Sequence, residues 1–300
     1  MRPEPPTDAR AADSAESTRP VAVITDTTTY MPASLIAELG VQQVSLYVGW
    51  DGELKREDEY EDLAAFYQRL AESPSLPTTS QPSVGDFEAC FRPILSEGHD
   101  IVSIHIASGI SGTCDSARSA AEELAKSGVE GRIEVIDGQT GAAGLGCLVI
   151  AAAEEAQRGG SIEAVTAAVA AAREHLDIYF CLDTLEYLRR GGRIGAAQAL
   201  LGTALQIKPI LTFAAEITPV GRVRTHGKAL QRMESYLVEL HERGATDWVV
   251  QHAQAPDDAQ RLVERGTAIF DSQPLFCTQV GPVLGAHLGS GMLVGGMTRA

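Results

Sequence analysis

Between Val21 and Glu174 short apolar runs alternate with helix-forming stretches, and nothing else in the chain constrains its fold so tightly. Val21 to Asp26 reads as a buried strand, Pro32 to Leu39 as a helix that Gly40 ends, and Val44 to Val48 as the next strand. Helices are expected from Asp62 to Leu70, after the cap Ser83 with Asp86 three residues on, and from Thr113 to Lys126. Ile101 to Ile106 and Ile133 to Asp137 are further strands, and an Ala-rich helix spans Leu148 to Gln157. Strands separated by helices need crossover connections, so they pair in parallel. The first half is expected to be α/β with a parallel sheet.

Gly159-Gly160-Ser161 interrupts the pattern, and a helix from Ser161 to Glu174 closes it. From Ile178 the character changes. Tyr179 to Leu182 is apolar, a helix is expected near Thr184 to Arg190, Gly191-Gly192 stops it, and another helix is expected from Gly195 to Leu205. Lys208 to Phe213 and Glu216 to Val220 read as strands joined by a turn. Helix Ala229 to Glu242, strand Trp248 to His252, helix Pro256 to Ile269 and strand Leu275 to Val280 follow. The expected organisation is a disordered tail over 1–20, rich in Pro, Ala and charge, then α/β domains over 21–177 and 178–300.

Several function classes lose support at once. The net charge of −16 repels a nucleic-acid backbone, and no basic block offsets it. The richest apolar stretch, Gly144 to Ala153, is about half a membrane span, so stable membrane insertion is not expected, and the tail has no signal-peptide core. A cytoplasmic location is expected. The five cysteines are scattered without a C-x-x-C pair, so neither a metal nor a disulfide framework is indicated and no cofactor is expected.

Two hydroxyl-rich segments stand ahead of helices: Thr78-Thr79-Ser80-Gln81-Pro82-Ser83 and Ser108-Gly109-Ile110-Ser111-Gly112-Thr113. A helix N-terminus carries unpaired N–H groups and partial positive charge, so hydroxyls beside it suit a carboxylate or phosphate. Ser83 is better read as a helix cap, and Ser111 or Thr113 could equally cap the next helix. A hydrolase or transferase using Ser111 or Asp26 is the enzymatic alternative, although no G-x-S-x-G elbow or phosphate-binding G-x-x-x-x-G-K-[ST] motif is present. Arg189, Arg190 and Arg193 flank Gly191-Gly192, and Arg222, Arg224, His226 and Lys228 form a second basic group; both could meet phosphate or a protein partner.

Taken together, the segments resemble the DegV family of bacterial fatty-acid-binding proteins. The resemblance rests on Val23-Ile-Thr-Asp, Leu76-Pro-Thr-Thr-Ser-Gln-Pro-Ser, Ile104-His-Ile-Ala-Ser-Gly-Ile-Ser-Gly-Thr, Cys181-Leu-Asp-Thr-Leu-Glu-Tyr-Leu-Arg-Arg-Gly-Gly-Arg-Ile, Lys208-Pro-Ile-Leu and Gly281-Pro-Val-Leu-Gly-Ala-His. It implies a parallel-sheet N-terminal domain and a mixed α/β C-terminal domain with a lipid tunnel between them. It further implies a non-catalytic carrier of a long-chain fatty acid, with Thr79 and Ser111 on the carboxylate, His287 near it, and Ser80, Ser108 and Gly112 around it. The same resemblance implies that some members present the bound fatty acid to a separate fatty acid kinase catalytic subunit, in which case a basic surface residue near Arg222 or Arg224 would assist docking or phosphoryl transfer.

Overall fold

Residues 19–201 and 207–298 are described by a computed structural model. In chain order the first part runs β1 (Val21–Asp26), α1 (Ala33–Leu39), β2 (Gln42–Val44), β3 (Tyr47–Trp50), β4 (Glu53–Arg56), α2 (Leu63–Glu72), β5 (Thr78–Ser80), α3 (Val84–Ser96), β6 (Asp100–His105), α4 (Thr113–Lys126), β7 (Ile133–Asp137), α5 (Ala143–Gln157) and α6 (Ile162–Glu174). Four of these strands pair in parallel in the order β2-β1-β6-β7, as the alternation of strand and helix requires. The sheet's two faces are both apolar. Val23, Val102 and Ile104 enter the central core, whereas Ile24 and Ile101 enter a core with Phe87 and Phe91 of α3 and Ala117 and Leu124 of α4.

The expected strand over 44–48 divides in two. Val44 ends β2 in the parallel sheet, and the chain turns at Ser45 and Leu46 to start β3 in a small antiparallel sheet of order β4-β3-β5. Thr78–Ser80 is the edge strand of that sheet, with Thr79 opposite Val48, and not the loop its Pro-flanked sequence suggests. The Ala-rich helix begins at Ala143, five residues earlier than expected, because residues 141–150 are buried on every side and leave no amphipathic signal to mark its start.

The second part comprises β8 (Leu176–Leu182), α7 (Glu186–Arg190), β9 (Lys208–Ala214), β10 (Glu216–Val223), α8 (His226–Glu242), β11 (Asp247–Ala253), α9 (Pro256–Phe270), β12 (Cys277–Gln279), α10 (Pro282–Leu288) and β13 (Gly291–Met297). Its strands form a mixed sheet of order β10-β9-β8-β13-β11-β12. The stretch from Gly195 is a 3-10 segment to Leu200, ended at Leu201, and not an α-helix; positions 202–205 of the expected helix lie outside the described residues.

Period-2 alternation assigns the sheet's faces. Tyr179, Cys181, Val250 and Val294 pack under α8 and α9, and Ile178, Phe180, Leu182, Val249 and Leu293 face the central core. α5 contacts strands of both sheets and forms the layer between them. β13, between β8 and β11, escapes detection because three of its seven residues are glycine. Gly295 needs that composition: a Cβ there would lie 2.3 Å from the Ile178 side chain on β8.

Candidate functional site

Between the inward face of the second sheet and the first part of the chain lies a cavity of about 990 Å³, part of it open to solvent. Ile178, Phe180 and Leu182 of β8, Leu293 of β13, Phe213 of β9 and Ile217 of β10 form one wall. Leu46, Ile106, Ile110, Ala142, Val280, Val283 and Leu284 form much of the rest. The polar side chains along it are few: Thr79, Ser80, Gln81, Ser111, Arg193, Gln251, His252 and His287.

Thr79 and His287 meet directly. Thr79 Oγ1 and His287 Nε2 share a hydrogen bond of 2.8 Å, joining β5 to the last turn of α10. His287 Nδ1 is fully buried with no hydrogen-bond partner among the described residues. Burial, reinforced by the nearby Arg193 charge, pushes the imidazole down from its ordinary 6.5 to about 4, so it is neutral at physiological pH. The backbone of Gly191 packs onto the same ring, and a Cβ there would lie 2.3 Å from Nδ1. Ser111 shares a 2.8 Å hydrogen bond with Thr113 Oγ1 and accepts the Thr113 N–H at 3.4 Å, so it stands one residue ahead of the α4 N-cap while lining the cavity. The expected capping by Ser111 or Thr113 does not occur, because the N-cap position falls to Gly112 and no side chain caps α4. Arg193 donates to the carbonyls of Ile110 and Gly191, which fixes a guanidinium on the cavity wall.

The helix carrying His287 is clamped from below. Its first free N–H groups are received by side chains distant in sequence: Val283 N–H donates to Glu57 Oε1 at 2.7 Å and Leu284 N–H to Tyr30 Oη at 3.0 Å. Tyr30 and Thr27 both donate to Glu57 in turn. Glu57 is only 5% exposed, and desolvation outweighs these hydrogen bonds, raising its carboxyl from 4.5 to about 7.

The other sequence candidates separate. Ser80 lines the cavity, its hydroxyl donating to Gln81 O. Ser108 does not line it; its N–H and hydroxyl both donate to Asp137, which anchors the turn. Gly112 takes the N-cap position of α4 against the Gln81 side chain and is likewise off the wall. Ser83 forms a full capping box with Asp86. Arg222 and Arg224 are exposed at and just beyond the end of edge strand β10.

An acid–base set does exist, in the wrong place for chemistry. Asp26 Oδ2 lies 3.1 Å from His105 Nδ1, and His105 Nε2 lies 2.7 Å from Ser103 Oγ. All three residues are fully buried in the core between strands β1 and β6 and none lines the cavity. Asp26 also receives the N–H groups of Thr28 and Ile106, so it ties the strand ends together. Among the described residues Ser111 has no histidine as a hydrogen-bond partner. Arg189 pairs with Glu186, and Arg190 donates to Pro74 O, so neither is a bare docking charge. Gln251 lines the cavity and Glu57 and Tyr30 brace α10, and sequence reasoning names none of the three; Arg193, also on the wall, it names only as one of the cations flanking Gly191-Gly192.

The family model described as "Uncharacterised protein, DegV family" matches residues 20–296. A DegV domain-containing protein of Streptomyces coelicolor is 39% identical over 282 residues, covering 92% of this chain and 97% of its own length. Among solved structures, a fatty-acid-binding DegV family protein from Thermus thermophilus superimposes with a TM-score of 0.82 at 33% identity, covering 94% of this chain and 100% of its own. DegV of Bacillus subtilis, a fatty acid binding protein, has a TM-score of 0.82 at 32% identity with the same coverage. No helix among the described residues is long and apolar enough to cross a membrane.

Proposed function

Because the chain belongs to the DegV family, we propose that it is a carrier that binds one long-chain fatty acid, its acyl chain in the cavity between the two sheets and its carboxylate at Thr79, Ser111 and His287. The units over 21–177 and 178–300 would be the two halves that close on the ligand. The observation that carries this reading is the continuity of the site: one apolar cavity reaches a cluster of two hydroxyls, a neutral imidazole and a fixed guanidinium. With Nε2–H donating to Thr79 Oγ1, the threonine's own proton is free to meet a carboxylate oxygen. Thr113 donating to Ser111 frees the serine proton in the same way.

The division of labour follows from magnitudes. A chain of roughly 14 buried methylenes contributes a gross term of about 11 kcal/mol at about 0.8 kcal/mol each. Each hydrogen bond to the charged head adds about 1.5–3 kcal/mol. The tail drives binding, and the polar cluster orients the head and offsets its desolvation. Among the described residues Ser111 is hydrogen-bonded only to Thr113, which is not a base, so those residues give the hydrolase reading no geometric support.

The carrier would work in the cytoplasm and present its carboxylate to a fatty acid kinase catalytic subunit docked over Arg222 and Arg224, whose exposure at the sheet edge supports that role. Solvent extraction of purified protein followed by mass spectrometry tests the central reading. A long-chain fatty acid in the extract supports it. An extract without one, together with no binding on titration of stearic acid, overturns it.

A further inference from the structure

Gln251 sits where the strand pattern calls for an apolar residue. On β11, Trp248 and Val250 pack under α8 and α9, while Val249 and Ala253 face the central core, and Gln251 lies between those two on the same face. It is fully buried and is one of the residues that line the cavity. An unpaired buried amide is costly, so its orientation is informative.

That orientation is fixed by its partners. Nε2 donates to Thr29 O at 2.9 Å and to Thr278 Oγ1 at 3.0 Å. The Thr278 hydroxyl spends its single proton on Tyr30 O at 2.7 Å, so toward Gln251 it can only accept. A flipped amide would set its carbonyl against two acceptors. Oε1 therefore keeps its place, and it has no hydrogen-bond partner among the described residues. The brace to Thr29 and Thr278 explains Nε2. It does not explain a buried, unpartnered acceptor on a residue that lines an apolar cavity.

We propose that the cavity takes a fatty acid bearing a hydroxyl group along its chain, with Gln251 Oε1 accepting the hydroxyl proton. This rests on the fatty-acid reading above and names the subclass of ligand. A purely apolar wall rejects an added hydroxyl only weakly and gains nothing from it, whereas a wall with a fixed acceptor rewards a hydroxyl at one position and penalises its absence or displacement.

The test is a titration of delipidated full-length protein with stearic acid and with the positional isomers of hydroxystearic acid. One isomer should bind about tenfold tighter than the isomers that place the hydroxyl elsewhere, and no more weakly than stearic acid. Gln251→Leu should lower that isomer's affinity relative to stearic acid by about tenfold. Thr278→Val removes one of the two acceptors but leaves Thr29 O to hold Nε2 and so keep Oε1 in place, and it should not change the ratio. A loss caused by general loosening would move both ligands together. The inference is overturned if all isomers bind alike in the wild type, a result that needs no variant to fold, or if the ratio is unchanged in Gln251→Leu. Failure of stearic acid and every isomer to bind would instead overturn the fatty-acid reading itself.

Discussion

Glu57 and His287 hold opposite proton balances, and their opposition predicts a pH dependence that neither would show alone. The Glu57 carboxyl is raised from 4.5 to about 7 by burial, and the His287 imidazole is lowered from 6.5 to about 4. Between pH 4.5 and 6.5 the folded state therefore holds a proton on Glu57 that the unfolded state lacks. Over the same range the unfolded state holds one on His287 that the folded state lacks. The two cancel in the wild type.

Each variant uncovers the other slope. One unmatched proton changes stability by about 1.4 kcal/mol per pH unit. Glu57→Gln keeps an oxygen for Tyr30 and Val283, and removes a term that falls as pH rises. Its stability relative to wild type should rise by about 1.4 kcal/mol per unit between pH 4.5 and 7, or about 3 kcal/mol in all. His287→Gln removes a term that rises with pH, so its relative stability should fall by the same order from pH 4 to 6.5. Urea unfolding of delipidated wild type and both variants at pH 4.5, 5.5 and 6.5 reads the slopes directly, and common background titrations drop out of the differences. Flat differences for both variants, or slopes of the same sign, would refute the placement of a buried carboxyl under α10 and a buried imidazole at its end.

Three further outcomes follow from the site. Thr79→Val with Ser111→Ala should weaken long-chain fatty-acid binding by about tenfold to a hundredfold per lost head contact while leaving measurable tail-driven affinity, readable by calorimetry. Gly191→Ala forces the His287 ring aside without touching the ligand, and should lower affinity by about tenfold with little change in far-UV circular dichroism. Arg222→Ala with Arg224→Ala should leave fatty-acid affinity unchanged and abolish phosphorylation of the bound fatty acid by a kinase subunit, measured by phosphate transfer from labelled ATP.

How much of this was legible in the sequence depends on whether the signal was local. The parallel sheet was, because VAVITD and Ile101 to Ile106 are long apolar runs between recognisable helices. The hydroxyl-rich context marks the segments around Thr79 and Ser111, the family resemblance picks those two residues out of them, and Ser83 is marked by its capping box. What hid was set by tertiary contact. β13 looks like a glycine loop until Ile178 of β8 is placed against it. Glu57 lies in the acidic run Glu57-Asp58-Glu59, which reads as solvated charge, yet the α10 N-terminus draws that one carboxyl inside. Ser108 carries the same composition as Ser111, and only Asp137, 29 residues away, decides that it faces elsewhere. The Asp26–His105 contact joins residues 79 apart, beyond any spacing rule.

Calorimetric titration of delipidated protein with stearic acid tests the central claim most directly. One ligand per chain is predicted, with a negative heat-capacity change from burial of the acyl tail and a large loss of affinity for octanoic acid, whose ten fewer methylenes remove a gross term of about 8 kcal/mol. Absence of saturable binding, or equal affinity for the two acids, would contradict a cavity that holds the tail between the sheets.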